Sequence, residues 1–149
     1  MPTLESRYLG SLIGLAAGDA LGTTVEFKPP GTFTPLTDMV GGGPFRLKKG
    51  QWTDDTSMAL CLAESLVQCK GFDARDQMDR YVRWWREGYP SSTGECFDIG
   101  GTVAGALREY LRTKDFFAGS IDPHSAGNGC LMRLAPVPLY YDADPERAV

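Results

Sequence analysis

The sequence predicts an all-α protein, and three observations carry that prediction. Its strong apolar periodicities repeat every three to four residues, the spacing of one helix face. The alternating runs that would mark strands are short and interrupted. A chain of 149 residues is long enough for one domain with a sizeable core and too short for two. Hydrophobic residues at 42% and charged residues at 23% describe a folded chain, not a disordered one. A formal charge of −4 with a pI near 4.9 argues against a nucleic-acid surface, and no basic cluster exceeds Arg46–Lys49.

The first helix is expected from about Leu4 to about Asp19. Leu4, Tyr8, Leu12 and Leu15 hold the helical period, and Leu9, Ile13 and Ala16 broaden the face. Gly10, Gly14 and Gly18 repeat every four residues. Each costs about 1 kcal/mol against alanine in a helix, so the repeat predicts another backbone packed very close. This apolar stretch lacks a basic leader and is too short to span a bilayer, so neither a signal peptide nor a membrane segment is expected. The turn Gly18-Asp19-Ala20-Leu21-Gly22 ends the helix, and Glu26 follows between Val25 and Phe27. Residues 28–50 hold four prolines and five glycines and read as a long loop on the substrate side, because structureless loops of that length are usually functional.

Gln51 to Cys69 opens with Thr53-Asp54-Asp55 and continues as an amphipathic helix. Met58, Cys61, Leu62, Ser65, Leu66 and Cys69 form its apolar stripe. The hydroxyl and two carboxylates have two readings: a helix cap facing the positive dipole end, or oxygen ligands for a hard divalent ion. Gly71 stops this helix and Asp73 caps the next, where Met78, Tyr81, Val82 and Trp85 share one face and Trp84 widens it. Asp98 lies at the start of a further helix carried by Val103, Ala106, Leu107, Tyr110 and Leu111 to about Lys114. His124, the single histidine, falls in the loop 115–125, which excludes a His-based metal cluster or triad. Gly127-Asn128-Gly129 opens a short apolar helix interrupted by Pro136 and Pro138. A last helix begins at Pro145. The four cysteines form no CxxC pair and read as reduced thiols of a cytoplasmic protein.

Without a nucleophile elbow, Walker loop or dinucleotide fingerprint, carboxylates that hold divalent ions are the leading route to hydrolysis. Metal-free glycoside chemistry needs two opposed carboxylates, which Glu26 and Asp98 would supply. At this point four motifs become recognisable together. GDALG followed by Glu26, WTDDTSMA (Trp52 to Ala59), CFDIG (Cys96 to Gly100) and AGNGCLMRLAPV (Ala126 to Val137) resemble, in order and spacing, the ADP-ribosylglycohydrolase family, which includes the dinitrogenase-reductase-activating glycohydrolase.

The resemblance implies a compact orthogonal helix bundle, two Mg²⁺ or Mn²⁺ ions, and hydrolysis of the bond between ADP-ribose and a protein side chain. It implies Thr53, Asp54 and Asp55 as metal ligands and Glu26 and Asp98 as catalytic acids. Asp19, Gly127, Asn128, Gly129, Met132 and Arg133 are implied as the substrate-binding set, with Arg133 either in the pocket or bracing the loop. The implied partner is an ADP-ribosylated protein, arginine-linked as the first expectation, or an ADP-ribose-containing small molecule. No nucleic acid or membrane is implied.

Members of that family are roughly twice this length and carry a second acidic motif of the Asp-x-Asp-Thr type that nothing after Arg133 supplies. The chain is therefore expected to be the N-terminal part of a single domain whose C-terminal part is absent. That leaves two function classes, a hydrolase active only with its missing half and a non-catalytic ADP-ribose-binding or structural remnant. An unrelated magnesium-dependent phosphohydrolase would explain the acids but not the CFDIG and GNGCLMR segments.

Overall fold

A central helix, α2 (Asp54–Cys69), organises the computed structural model, which describes residues 1–148. α1 (Leu4–Gly22), α3 (Ala74–Glu87), α4 (Gly101–Thr113), α5 (Gly129–Met132) and α6 (Pro136–Tyr140) surround it, with single 3₁₀ turns at Thr23–Val25, Pro123–Ser125 and Pro145–Ala148. Among the described residues there is no strand, only one isolated bridge between Gly42 and Leu47. No described helix is long and apolar enough to cross a membrane. The all-α expectation holds.

The stripe read from the sequence makes α2 central. Met58, Cys61, Leu62, Ser65 and Leu66 are all buried, and α2 packs against α3, α6 and α1. Cys69 departs from the expectation, because it lies exposed in the last turn, where Lys70 adopts a left-handed conformation that ends the helix. Met58, Cys61, Tyr81, Trp84 and Leu107 form the main core, joining α2, α3 and α4. Trp84 is its largest fully buried side chain, so it is a centre of the α3 face and not its margin. Leu62, Leu66 and Tyr141 form a second cluster beneath α6.

Asp73 caps α3 as expected, its carboxylate accepting from the Asp76 amide at 2.9 Å. Asp73→Ala is expected to destabilise the chain by about 1 kcal/mol, the usual cost of losing such a cap, read as a lower urea midpoint with an unchanged slope.

Three expectations are corrected. The first helix runs on to Gly22, because Asp19 points inward to α2 and does not break the chain. Gly10, Gly14 and Gly18 have no close backbone neighbour among the described residues: a Cβ at each would meet nothing within 4 Å. The stretch at Gly129 also divides differently. Pro136 starts α6, where a missing amide costs nothing, and does not merely interrupt a helix.

Residues 28–50 form an irregular loop anchored on the end of α1. Gly43, at φ +67°, sits so close that a Cβ there would lie 2.5 Å from the Thr23 carbonyl oxygen, and the Thr24 hydroxyl donates to the Gly41 carbonyl at 3.2 Å. That anchorage carries Phe45 to the acids described next.

Candidate functional site

The candidate site is built where α1 ends and α2 begins. Thr53 occupies the N-cap position of α2 with extended backbone, yet its side chain makes no capping hydrogen bond. Asp19, from α1, caps the helix instead. Its carboxylate accepts from the Thr53 amide (3.0 Å) and hydroxyl (2.8 Å) and from the Thr56 amide (3.1 Å) and hydroxyl (2.6 Å). The cap reading was right about the helix start needing an acceptor and wrong about the donor of that acceptor. The Ser57 hydroxyl donates to the Thr53 carbonyl at 2.7 Å and holds the turn from below.

Because Asp19 takes the cap, Asp54 and Asp55 are released from that task. Asp55 faces the Thr53 hydroxyl at 3.4 Å. Asp19, Thr23, Glu26, Thr53 and Asp55 line a polar cleft of about 210 Å³. Asp54 is nearly buried, at 7% exposure, on the side toward Cys96 and Asp98.

Glu26 accepts from the Thr23 hydroxyl at 3.3 Å and lies within hydrogen-bonding reach of Asp98. Asp98 belongs to the loop before α4, three residues ahead of the first helical position, with φ +58°. Phe27, beside Glu26, has φ +62°. Left-handed backbone of this kind is uncommon outside glycine and is held only by its surroundings. The surroundings here are aromatic: Phe45 packs against Phe27 at 6.2 Å and Phe97 at 5.3 Å between ring centroids. The loop thereby clamps the neighbours of both acids.

The electrostatics follow from this crowding. Burial first, then the charges of Asp98 and Asp55, push Asp54 up to about 7. Burial first, then Glu26, pushes Asp98 up to about 7. Burial raises Glu26 and Asp55 as well, with Asp19 adding to both. Glu26 and Asp98 face each other as two acids, and their proximity opposes ionisation of both at once. Among the described residues none of these acids is in an ion pair with Lys or Arg.

Uncompensated, half-buried carboxylates beside a hydroxyl match the donors a hard divalent cation takes. The fit is chemical but incomplete: among the described residues no three Asp, Glu, His or Cys side chains are arranged to hold one ion.

Gly127, Gly129 and Arg133 lie elsewhere, around a cavity of about 330 Å³ with Met58, Tyr81 and Val103. A Cβ on Gly129 would come within 3.0 Å of Val103, so that glycine allows the segment to close on α4. Asn128 is the N-cap residue of α5 without a side-chain capping bond. Met132 packs on the main core. The Arg133 guanidinium stands over the Tyr81 ring at 4.8 Å with Nη1 3.7 Å from the Met58 sulfur, so it braces α5 against α2 and α3. His124 is an exposed loop residue. The sequence reading missed Thr56 and Phe45. The hydroxyl at the third helical position of TDDT was a legible sign of the first, whereas nothing in the loop's composition marked the second.

An all-α chain whose central helix opens into a cleft of unpaired carboxylates, capped by an acid from the first helix, defines the class of protein. Comparison with known proteins places it further: the sequence model of the ADP-ribosylglycohydrolase family matches residues 1–149. The chain belongs to that family. It is 50% identical over 142 residues to the ADP-ribosylarginine hydrolase Tri1 of Serratia proteamaculans, covering 94% of this chain and 38% of that protein. It is 37% identical over 145 residues to the ADP-ribosyl-[dinitrogen reductase] glycohydrolase of Rhodospirillum rubrum, covering 93% and 46%. A solved structure, an ADP-ribosylglycohydrolase-related protein complex, superposes with a TM-score of 0.81 at 52% identity over 96% of this chain and 45% of that one. The chain thus spans less than half the length of each of these relatives.

Asp19→Ala is expected to destabilise the chain by about 3 kcal/mol, because hydrogen bonds to a charged acceptor are worth about 1.5–3 kcal/mol and two amides and two hydroxyls lose theirs together. Asp19→Asn, which keeps one acceptor oxygen, should lose clearly less in the same denaturant titration.

Proposed function

We propose that these 149 residues supply the first half of the active site of an ADP-ribosyl hydrolase that releases ADP-ribose from a modified arginine side chain. The observation that supports this reading most directly is the convergence of Asp19, Glu26, Asp54, Asp55 and Asp98 from three separate segments, none of them in an ion pair with Lys or Arg among the described residues. Two relatives named for ADP-ribosyl hydrolysis, one of them on arginine, support the substrate class.

In this reading Thr53, Asp54 and Asp55 contribute the N-terminal share of the ligands for Mg²⁺ or Mn²⁺, and the remaining ligands come from the rest of the family fold. When bound, the metal centre supplies charge stabilisation to the ribose oxygens and to water. Asp19 keeps the Thr53 hydroxyl in place through its 2.8 Å hydrogen bond. Asp98, which burial and Glu26 push up to about 7, would donate a proton to the departing guanidine nitrogen, and Glu26 would accept one from the attacking water. The N-glycosidic bond breaks, water contributes OH to the anomeric carbon, and its proton replaces the one given to the leaving group. The cavity at Gly127 to Arg133 is proposed to take part of the ADP-ribose, with Arg133 as its brace.

The second reading, an ADP-ribose-binding remnant without catalysis, is favoured by one observation, the incomplete ligand set. The test is release of free ADP-ribose from an ADP-ribosylarginine peptide with Mn²⁺, by this chain alone and by this chain joined to the remainder of the Serratia relative. Release by the joined form and not by the chain alone is the expected result. Binding of ADP-ribose by calorimetry with no release from either form would establish the remnant instead.

A further inference from the structure

The residues that lead into Thr53-Asp54-Asp55 are gripped from across the chain. The Ser92 hydroxyl donates to the Trp52 carbonyl at 2.6 Å and accepts from the Trp52 amide at 3.1 Å, using both capacities of a hydroxyl at once. The Ser92 carbonyl accepts from the Gln51 side-chain amide at 3.1 Å, and the Gln51 side-chain carbonyl accepts from the Lys48 amide at 2.7 Å. Asp19 already caps α2, so the bonds from Ser92 are not needed to start that helix. Trp52 is held at a cost, because its indole N–H is buried without a partner among the described residues, an uncommon state for a buried donor.

Ser92 itself sits in a closed turn. Gly88, at φ +75°, lies so near Gly94 that a Cβ there would overlap the Gly94 carbonyl. The Ser91 amide donates to the Gly88 carbonyl at 2.7 Å. The Thr93 hydroxyl donates to the Glu95 carbonyl at 3.1 Å and accepts from the Glu95 amide at 3.3 Å. The same loop then runs on to Asp98, with Cys96 before the acid and Ile99 after it packed against the main core. Two sources of the carboxylate cluster, the head of α2 and the loop that carries Asp98, are thus tied together at Ser92.

We propose that Ser92 is a positioning residue of the carboxylate site. It sets where Thr53, Asp54 and Asp55 stand relative to Asp98, and it acts through the Trp52 backbone. Ligating groups work only when their supports hold them to a fraction of an ångström. The inference rests on the proposed metal-dependent hydrolysis and adds to it a residue outside the four motifs.

The test uses this chain joined to the remainder of the Serratia relative. Ser92→Ala is expected to weaken Mn²⁺ binding, read by calorimetry, by about 10-fold, the lower range for losing a support behind a metal ligand. At saturating Mn²⁺ it should lower kcat for an ADP-ribosylarginine peptide by a similar factor and leave KM within about 2-fold, the pattern of a lost transition-state interaction. Ser92→Thr keeps the hydroxyl and should recover most of both. Thr93→Ala breaks bonds inside the same turn and none to Trp52, so it should lower the melting temperature and leave Mn²⁺ affinity unchanged. Parental Mn²⁺ affinity and kcat in Ser92→Ala, with only the melting temperature lowered, would overturn the proposal. So would a Ser92→Thr variant as impaired as Ser92→Ala, or a Thr93→Ala variant that weakens binding equally. A parent that binds Mn²⁺ but releases no ADP-ribose would sink the hydrolytic reading alone, and the affinity comparison would then decide for or against Ser92. A parent that binds no Mn²⁺ would overturn both.

Discussion

Asp55→Ala, in the chain completed by the rest of the family fold, is expected to lower metal-dependent release of ADP-ribose by at least about 100-fold, since losing a group that merely supports a metal ligand already costs about 10–100-fold. The reasoning starts from the division of labour at the head of α2. Asp19 satisfies the amides of Thr53 and Thr56, so Asp55 is not needed to cap the helix. Its removal also relieves crowding, because burial and Asp19 both oppose its charge. The folded chain should therefore tolerate Asp55→Ala with no loss of stability, and even a gain. The two readouts move apart: activity and Mn²⁺ affinity fall, while the urea midpoint of the metal-free chain holds or rises. Equal hydrolysis by variant and parent would remove Asp55 from the proposed ligand set.

The second large effect is a stability profile that runs opposite to that of most carboxylate-rich proteins. Paired or hydrogen-bonded acids usually have lowered proton affinity, and such proteins lose stability in acid. Here Asp54 and Asp98 are raised from 3.8 to about 7, by burial first and then by neighbouring acids, Asp98 and Asp55 for Asp54 and Glu26 for Asp98. The folded chain holds protons in the range from about pH 4 to pH 7 that the unfolded chain has released, so stability falls as pH rises through that range. Above it both states are ionised and the full repulsion is present. The melting temperature of the metal-free chain is expected to fall by more than about 5 °C between pH 5 and pH 8, given that 1 kcal/mol moves the midpoint of a domain this size by about 2–4 °C. Asp54→Asn should flatten the slope, because the amide keeps the shape and loses the charge. Adding Mn²⁺ at pH 8 should recover stability in the parent more than in Asp54→Asn, since any ion bound only by the folded state stabilises it. A melting temperature that stays level or rises across this interval would mean the carboxylates are not pressed together.

These effects were unevenly legible in the sequence. The helices were readable because their cores are written as local periodicity: Met58, Cys61, Leu62 and Leu66 recur at helical spacing and are all buried. Asp73 announced its cap because the amide it accepts from, that of Asp76, lies three residues away in the chain. The cap of α2 was not readable, since its acceptor, Asp19, lies 34 residues before Thr53. No rule of local spacing reaches that far. The same limit hid Phe45, whose place between Phe27 and Phe97 depends on how an irregular loop folds back over α1. The glycines of α1 led to the expectation of a closely packed backbone, which the described residues do not supply.

The sequence by itself determined the all-α class, the order of the helices, the acids at their boundaries and, through four motifs in order, the resemblance to a family that the comparisons then established. These properties depend on residues within a turn or two of one another, or on motif order alone. Only the tertiary structure decided which acid caps and which is free, that Asp98 and Glu26 come within reach of each other, and that α1 keeps one apolar face open. Each of those is a matter of which side chains meet across distant segments, and burial acts on charge only once the chain has closed around it.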